Sequence, residues 1–186
     1  HGLRPKIHAD EIFPIGGAEL AAELGAVSAD HLAAASQEGI HSLARAGVAA
    51  VLLPATMFTL MSRAYADARG MIDAGVAVAL ATDFNPGTSP TMSMPFVITL
   101  ACLQMKMTPA EAVCAATVNA AWAIGRGDRA GTIHVGRDAD FIVCDVPAVD
   151  ALPFSVGVNP VGDVVKRGEH VVTSAGGGSR LCHSQT

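Results

Sequence analysis

Uncharged apolar runs alternate with polar segments along the first half of the chain. Such runs occupy residues 26–29, 48–53 and 76–81, and each is followed at once by a polar residue or a proline. Apolar runs of this length, closed by a turn signal, are typical of strands buried on both faces. A weaker run at residues 4–8 opens the chain. The pattern therefore predicts four short strands, the last of which leads directly into Thr82-Asp83.

Segments with helical spacing separate these runs. The pattern predicts helices over residues 17–24 and 36–46, and one long helix over 57–72, each ended by a glycine. The tetrapeptide Ala-Gly-Val-Ala occurs at both 46–49 and 74–77, so a unit of helix, glycine and strand is repeated. Units of about 20 to 30 residues are typical of βα repeats joined by short loops.

The strand ends carry His8, His31, Pro54 and Asp83. Four βα units with polar strand ends predict an α/β fold, namely half of a (β/α)8 TIM-like barrel. An open doubly wound sheet is the competing architecture. Its nucleotide-binding version is disfavoured, because no glycine-rich phosphate-binding motif follows any predicted strand.

The second half of the chain begins with helices and then changes character. Residues 93–106 form an apolar helical pattern, and Thr108-Pro109-Ala110-Glu111 is a strong helix start. Beyond Ile124 the pattern predicts short strands, with a hairpin over 164–172. The predicted organisation is a half-barrel with its C-terminal helices, a small β appendage and a disordered tail, at residues 1–127, 128–173 and 174–186.

The amino-acid composition of the chain restricts its possible binding partners and its cellular compartment. The net charge is -5 and no basic run is present, which argues against nucleic acid as a partner. The most apolar segment is broken by Pro54 and is too short to cross a bilayer, so no membrane span is expected. The four cysteines form no CxxC motif, which favours free thiols and a cytoplasmic protein. The chain starts at His1 rather than Met, so we expect further sequence upstream.

Ionisable residues follow three of the four predicted strands. Because parallel strands end at one edge of a sheet, His8, Glu11, His31 and Asp83 are expected to lie near one another. Imidazole and carboxylate groups bind divalent metals, and a second pair of them can move protons or hold a substrate. Each also has a structural interpretation: a histidine at a strand end is often simply hydrogen-bonded, and Asp83 can cap its turn. A metal site needs about three or four protein ligands, and only two good candidates are present.

Several motifs carry a resemblance to a known family. They are His-Ala-Asp-Glu at 8–11, Ser-Ala-Asp-His at 28–31 and Ala-Thr-Asp-Phe-Asn-Pro-Gly at 81–87, supported by residues 16–25 and 89–95. Together they resemble the amidohydrolase superfamily and, within it, the imidazolonepropionase family of histidine degradation. Gly-Arg-Asp-Ala-Asp at 136–140 is similar to the general C-terminal signature of the superfamily. The similarity extends from about residue 5 to residue 172.

The resemblance implies one bound divalent or trivalent metal ion, zinc or iron. It assigns His8 and Asp83 as metal ligands. It implies catalytic roles for Asp83, His31 and Glu11, and substrate contacts for Glu11, Asn85, Gly87 and Thr88. The family's His-x-His on the first barrel strand has no match in this chain. The chain therefore resembles the C-terminal half of the enzyme, without the first four strands.

The activity implied by the resemblance is hydrolysis of a cyclic amide. The substrate would be 4-imidazolone-5-propanoate, a small molecule, and the product N-formimidoyl-L-glutamate, formed by a complete enzyme that is a homodimer. A second hypothesis is another cyclic amidohydrolase or a deaminase of the same superfamily. A third is a catalytically inactive half-barrel, whose two exposed sheet edges would favour pairing with another chain.

Overall fold

The computed structural model describes residues 2–172 and contains one four-stranded parallel sheet. Its strands lie in the order β1-β2-β3-β4, so each strand pairs with the next one along the chain. The pairing register places Ile7 beside Ala29, and Ala50 beside Val78. The strands are β1 Lys6–Ala9, β2 Ser28–His31, β3 Ala49–Leu52 and β4 Val78–Leu80. The prediction of four consecutive βα units is thus confirmed.

The second strand lies two residues later than its apolar run indicates. Its pairing with β1 continues through Asp30 to His31, which lies opposite Ala9. The apolar run at 26–29 is a poor guide to the strand bounds because the partner strand, rather than side-chain polarity, decides where the hydrogen-bonded ladder ends. His31 is consequently the last residue of β2 and does not belong to the loop that follows.

Within residues 2–172, seven α-helices connect and cover the strands. Ser36 caps the second helix by accepting a hydrogen bond from the N–H of Gly39, and Gly47 ends it with φ 67°. Thr108 and Glu111 form the predicted capping box at the start of the sixth. The helices are α1 Gly17–Glu23, α2 Gln37–Ala46, α3 Pro54–Thr59, α4 Ala68–Asp73, α5 Met94–Met105, α6 Pro109–Ala116 and α7 Val118–Ala123.

The single long helix predicted over residues 57–72 is wrong. The chain leaves the helical conformation after Thr59, and Met61 has φ 54° and is 89% exposed. A new helix, α4, begins only after Asp67, whose carboxylate accepts from the N–H of Gly70. Asp67 and Ser62 offer the backbone local side-chain hydrogen bonds that compete with a continuous helix. The apolar spacing on which the prediction rested therefore spans two helices.

Along β3 and β4, other elements of the chain cover both faces of the sheet. Ala50 and Leu52 point into the main core with α1 and α2, whereas Ala49 and Ala79 pack on the opposite face against Ala123 of α7. Burial on two faces explains why these strands are apolar at every position. The amide of Asn119, also in α7, donates to the carbonyl oxygen of Val78 at 2.7 Å and attaches the helix to the sheet.

The C-terminal part of the described chain is a three-stranded antiparallel sheet. It consists of β5 Phe141–Cys144, β6 Val161–Lys166 and β7 Glu169–Val172, and a 3-10 helix, Val149–Phe154, separates the first two. Arg167 and Gly168 have φ 52° and 81° and form the turn of the predicted hairpin, which is confirmed. The tail predicted to be disordered, residues 174–186, lies outside the described residues.

Three of the four cysteines lie in the described part of the chain. Cys102, Cys114 and Cys144 are free thiols, and Cys182 lies outside the described part. Between residues 2 and 172, no helix is both long enough and apolar enough to cross a membrane.

A partly exposed ion pair between Arg69 and Glu111 links α4 to α6. The guanidinium of Arg69 donates to both carboxylate oxygens of Glu111, at 3.1 and 2.5 Å, and the N–H of Thr108 donates to the same carboxylate at 2.8 Å. These hydrogen bonds, chiefly those from Arg69, lower the pKa of Glu111 to about 2. The carboxylate form is therefore favoured in the folded chain.

We expect Glu111→Gln to lower the free energy of unfolding at pH 7 by about 1 kcal/mol, after allowance for solvent screening. Because folding depresses the pKa of Glu111, its contribution is present above about pH 4.5 and is lost as the pH falls towards 2. Urea denaturation should show a smaller difference between the two proteins at pH 3 than at pH 7. Glu38→Gln, in the exposed pair with Arg45, is the control, with little expected change. Equal pH dependence in wild type and Glu111→Gln would contradict this account.

Candidate metal centre

Three ionisable side chains meet at the carboxyl edge of the parallel sheet. His8 lies in β1, Glu11 lies in the loop that follows it, and His31 is the last residue of β2. Nε2 of His8 is 2.9 Å from Oε2 of Glu11, and Nδ1 of His31 is 3.6 Å from Oε1. One ligand atom from each residue lies within 4.8 Å of the other two. The structure thus brings together three of the four residues expected to converge.

The three side chains differ sharply in exposure. The His31 side chain is 6% exposed and that of Glu11 is 19% exposed, whereas His8 is 64% exposed. The two imidazole rings are in contact, with centroids 4.0 Å apart and ring planes tilted by 36°. Among the described residues, Nδ1 of His31 is buried and has no hydrogen-bond partner. An unpartnered buried imidazole nitrogen beside a carboxylate fits a metal site, because both groups are ligands for zinc and iron.

Burial determines the protonation of His31. Desolvation lowers the pKa of His31 below 6.5, and the neighbouring His8 lowers it further, while Glu11 and Asp83 act in the opposite direction. His31 is therefore a neutral imidazole at pH 7. A neutral imidazole can bind a metal ion or accept a proton, which an imidazolium cannot.

A buried carboxylate holds the loop that carries Glu11. Asp10 is 3% exposed, and its two oxygens accept from the N–H groups of Ile15, Gly17 and Ala18 at 2.8 to 3.0 Å. Gly17 packs directly on β1, since a Cβ atom there would lie 2.9 Å from the Cβ of Ala9. Asp10 thus caps the start of α1 and fixes the loop between β1 and α1.

Asp83 lies beyond the end of β4 and is held separately from the three clustered residues. Its Oδ2 accepts a hydrogen bond of 2.8 Å from the hydroxyl of Thr56, at the start of α3. Asp83 is not a member of the group whose ligand atoms lie within 4.8 Å of one another. It is nevertheless close enough to raise the pKa of His31. Asp83 therefore borders the same site from the β4 side.

The residues expected to contact substrate form a closed turn after Asp83. Oδ1 of Asn85 accepts from the N–H of Gly87 at 2.9 Å and from the N–H of Thr88 at 2.8 Å, and its Nδ2 donates to the carbonyl oxygen of Asp83. The N–H of Asn85 also bonds to the carbonyl oxygen of Ser89. The N–H groups of Asn85, Gly87 and Thr88 are thus used within the turn, and substrate contact by these residues stays a prediction.

Two residues that support Asp83 were missed at the sequence level. Thr56 and Ser89 are both fully buried, and the Ser89 hydroxyl donates to the carbonyl oxygen of Thr82 at 2.6 Å. A signal for Thr56 was present, since it follows Pro54 at the end of the third strand, where the repeated unit places polar groups. Ser89 opens the 89–95 stretch that supports the family resemblance, but no spacing in the sequence marks its hydrogen bond to Thr82.

Comparison with known proteins identifies the family. A family model described as "Amidohydrolase family" matches residues 4–172. The chain belongs to the amidohydrolase family. It is 59% identical over 183 residues to the imidazolonepropionase of Geobacillus sp. (strain WCH70), a match that covers 98% of this chain and 42% of the relative. It is 55% identical over 168 residues to that of Bacteroides fragilis, which covers 90% and 40%. The chain spans about two fifths of the length of these curated relatives, and the resemblance carried by the motifs is confirmed.

Two solved structures of zinc-bound enzymes share the fold. An adenosine deaminase from Xanthomonas campestris with bound zinc superimposes with a TM-score of 0.78 at 24% identity, over 92% of this chain and 46% of that chain. Atrazine chlorohydrolase TrzN from Arthrobacter aurescens TC1, complexed with zinc, gives 0.76 at 22% identity, over 92% and 44%. The predicted fold class, part of an α/β barrel, is confirmed.

The electrostatics of the cluster can be tested by NMR titration of the metal-free amidohydrolase chain. We expect the His31 ring to titrate with a midpoint below 6.5. Glu11→Gln removes a negative neighbour and should lower the midpoint further, whereas His8→Ala should raise it. The two substitutions control for each other because their expected shifts have opposite signs. An upward shift in Glu11→Gln would contradict the arrangement.

Proposed function

We propose that this chain carries part of the active site of an imidazolonepropionase-type hydrolase. The reaction is hydrolysis of the cyclic amide of 4-imidazolone-5-propanoate to N-formimidoyl-L-glutamate. The observation that carries the proposal is the convergence of His8, Glu11 and His31 at one sheet edge, beside Asp83. The choice of substrate is supported by 59% identity to an imidazolonepropionase over 98% of the chain.

The proposed cofactor is one metal ion, zinc or iron. His8 and Asp83 are its proposed ligands in this chain, and the unpartnered Nδ1 of the neighbouring His31 supports a metal at this edge. Zinc in two solved structures that share the fold supports a divalent ion. When bound, such an ion lowers the pKa of a coordinated water to about 7 and polarises a carbonyl group.

The ionisable residues have complementary proposed roles. The Asp83 carboxylate accepts a proton from the attacking water, whose hydroxyl adds to the ring carbonyl carbon. The neutral His31 polarises the carbonyl group and assists proton transfer to the ring nitrogen as the C–N bond breaks. Glu11, which lies 2.9 Å from His8, holds the ring N–H groups of the substrate. Water thus supplies the hydroxyl of the new carboxylate and the proton of the leaving nitrogen.

The turn after β4 and the complete protein also have proposed roles. Asn85, Gly87 and Thr88 contact the substrate from the turn after β4. The complete protein is a cytoplasmic homodimer that acts on a small molecule. Residues 1–127 and 128–173 are separate structural units, which is supported by the sheet that β5, β6 and β7 form by themselves.

The activity is best tested with two proteins assayed in parallel. One is this chain alone, and the other is this chain joined to the remaining part of the Geobacillus sp. relative. We expect the joined protein to contain about one zinc or iron ion per chain and to hydrolyse imidazolonepropionate in preference to adenosine and other cyclic amides. Preference for adenosine would favour the deaminase hypothesis. Full metal content and turnover by the chain alone would exclude an inactive half-barrel.

Asp83→Asn tests the central assignment in the active form. The amide keeps the size of the side chain but accepts no proton and binds metal weakly, so we expect kcat to fall about 10²- to 10⁴-fold. Metal content, measured by elemental analysis, should fall as well. Asp150→Asn changes an exposed aspartate in the 3-10 helix and is the matched control. Normal metal content and turnover in Asp83→Asn would show that the assignment is wrong.

A further inference from the structure

The hydroxyl of Thr56 makes a different contact from those of three other threonines in or next to helices. Thr59, Thr99 and Thr117 each donate to the main-chain carbonyl four residues earlier, at 2.7 to 3.1 Å. That bond is the usual one for a threonine inside a helix. Thr56 instead donates to the carboxylate of Asp83, 27 residues further along the chain. The side chain thus links two different βα units.

This contact is partly buried and charge-assisted. Thr56 is 0% exposed and its Oγ1 lies 2.8 Å from Oδ2 of Asp83. A hydroxyl that donates to a carboxylate makes a stronger bond than one that donates to a neutral carbonyl. Pro54 and the short helix α3 fix the place of Thr56 at the end of β3. The donor is therefore on a rigid element.

The main chain of Asp83 is held independently of its side chain. Asp83 has φ 51°, a conformation that residues other than glycine adopt at some cost in energy. Nδ2 of Asn85 donates to its carbonyl oxygen at 2.8 Å, and the buried hydroxyl of Ser89 donates to the preceding carbonyl oxygen of Thr82. These two bonds fix the backbone of the turn. The orientation of the carboxylate still depends on the side-chain torsions, which the Thr56 bond restricts.

We infer that Thr56 is a positioning residue, which holds one oxygen of the Asp83 carboxylate and so orients the group for metal binding and for proton acceptance. The inference rests on the proposed function. Thr56 touches neither substrate nor metal in this role and acts only through Asp83. A purely structural threonine would instead affect folding stability alone.

The test uses the protein in which this chain is joined to the remaining part of the Geobacillus sp. relative. Thr56 is changed in two ways. Thr56→Val keeps the shape of the side chain and removes the hydroxyl, whereas Thr56→Ser keeps the hydroxyl. Thr99→Val is the matched control, because Thr99 is equally buried but its hydroxyl donates to the carbonyl oxygens of Pro95 and Pro153. The readouts are Co²⁺ affinity by titration, the Co²⁺ absorption spectrum, kcat and KM, and the melting temperature.

We expect Thr56→Val to weaken Co²⁺ binding about 10- to 100-fold and to alter the Co²⁺ spectrum, with a loss of kcat in the same range. In Thr56→Ser, the Co²⁺ affinity and kcat should stay within a few-fold of the wild-type values. Thr99→Val should lower the melting temperature without changing Co²⁺ affinity. If valine prevents folding, Thr56→Ala removes the same hydroxyl without adding volume.

Two kinds of failure can be distinguished. Wild-type affinity, spectrum and kcat in Thr56→Val would overturn the positioning role and leave the proposed function intact. Equal defects in Thr56→Ser and Thr56→Val would also overturn it, because the hydroxyl would then be irrelevant. A wild-type protein that binds no metal and does not hydrolyse imidazolonepropionate would overturn the proposed function, and the inference with it.

Discussion

The in-register parallel pairing of β1 to β4 is the constraint on which the candidate site depends. The pairing of Ala9 with His31 places the ends of β1 and β2 side by side, so that the rings of His8 and His31 come within 4.0 Å. The apolar packing on both faces of the sheet keeps this register, and it thereby keeps the ionisable groups together.

Backbone strain is concentrated where the chemistry is proposed. Asp10, His31 and Asp83 all have positive φ, at 46°, 79° and 51°, and each lies at or just beyond a strand end. Such conformations persist only when the surroundings determine them strongly. Here the surroundings include the buried Asp10 carboxylate with its three N–H donors, and the turn closed by Asn85 and Ser89. Rigid loops of this kind hold functional groups in place before a ligand arrives.

Structural and functional polar groups are separated in the molecule. The Arg69–Glu111 pair joins two helices away from the sheet edge, and Asp140 accepts from the N–H of Arg167 at the hairpin turn. These side chains have hydrogen-bond partners within the protein, as is usual for groups with a structural role. His31, by contrast, has a buried ring nitrogen without a partner among the described residues. Such an atom beside the carboxylate of Glu11 is available to a ligand.

The sequence by itself determined the repeated βα unit, the helix caps at Ser36 and Thr108, the hairpin at Arg167-Gly168 and the family motifs. These features are local, because spacing, capping and turn preferences act over a few residues. Only the tertiary structure decided that β2 extends to His31, that the helix expected over 57–72 is two helices, and that Thr56 reaches Asp83. Strand ends are decided by the partner strand, and a contact between residues 27 positions apart leaves no periodic signal in the sequence.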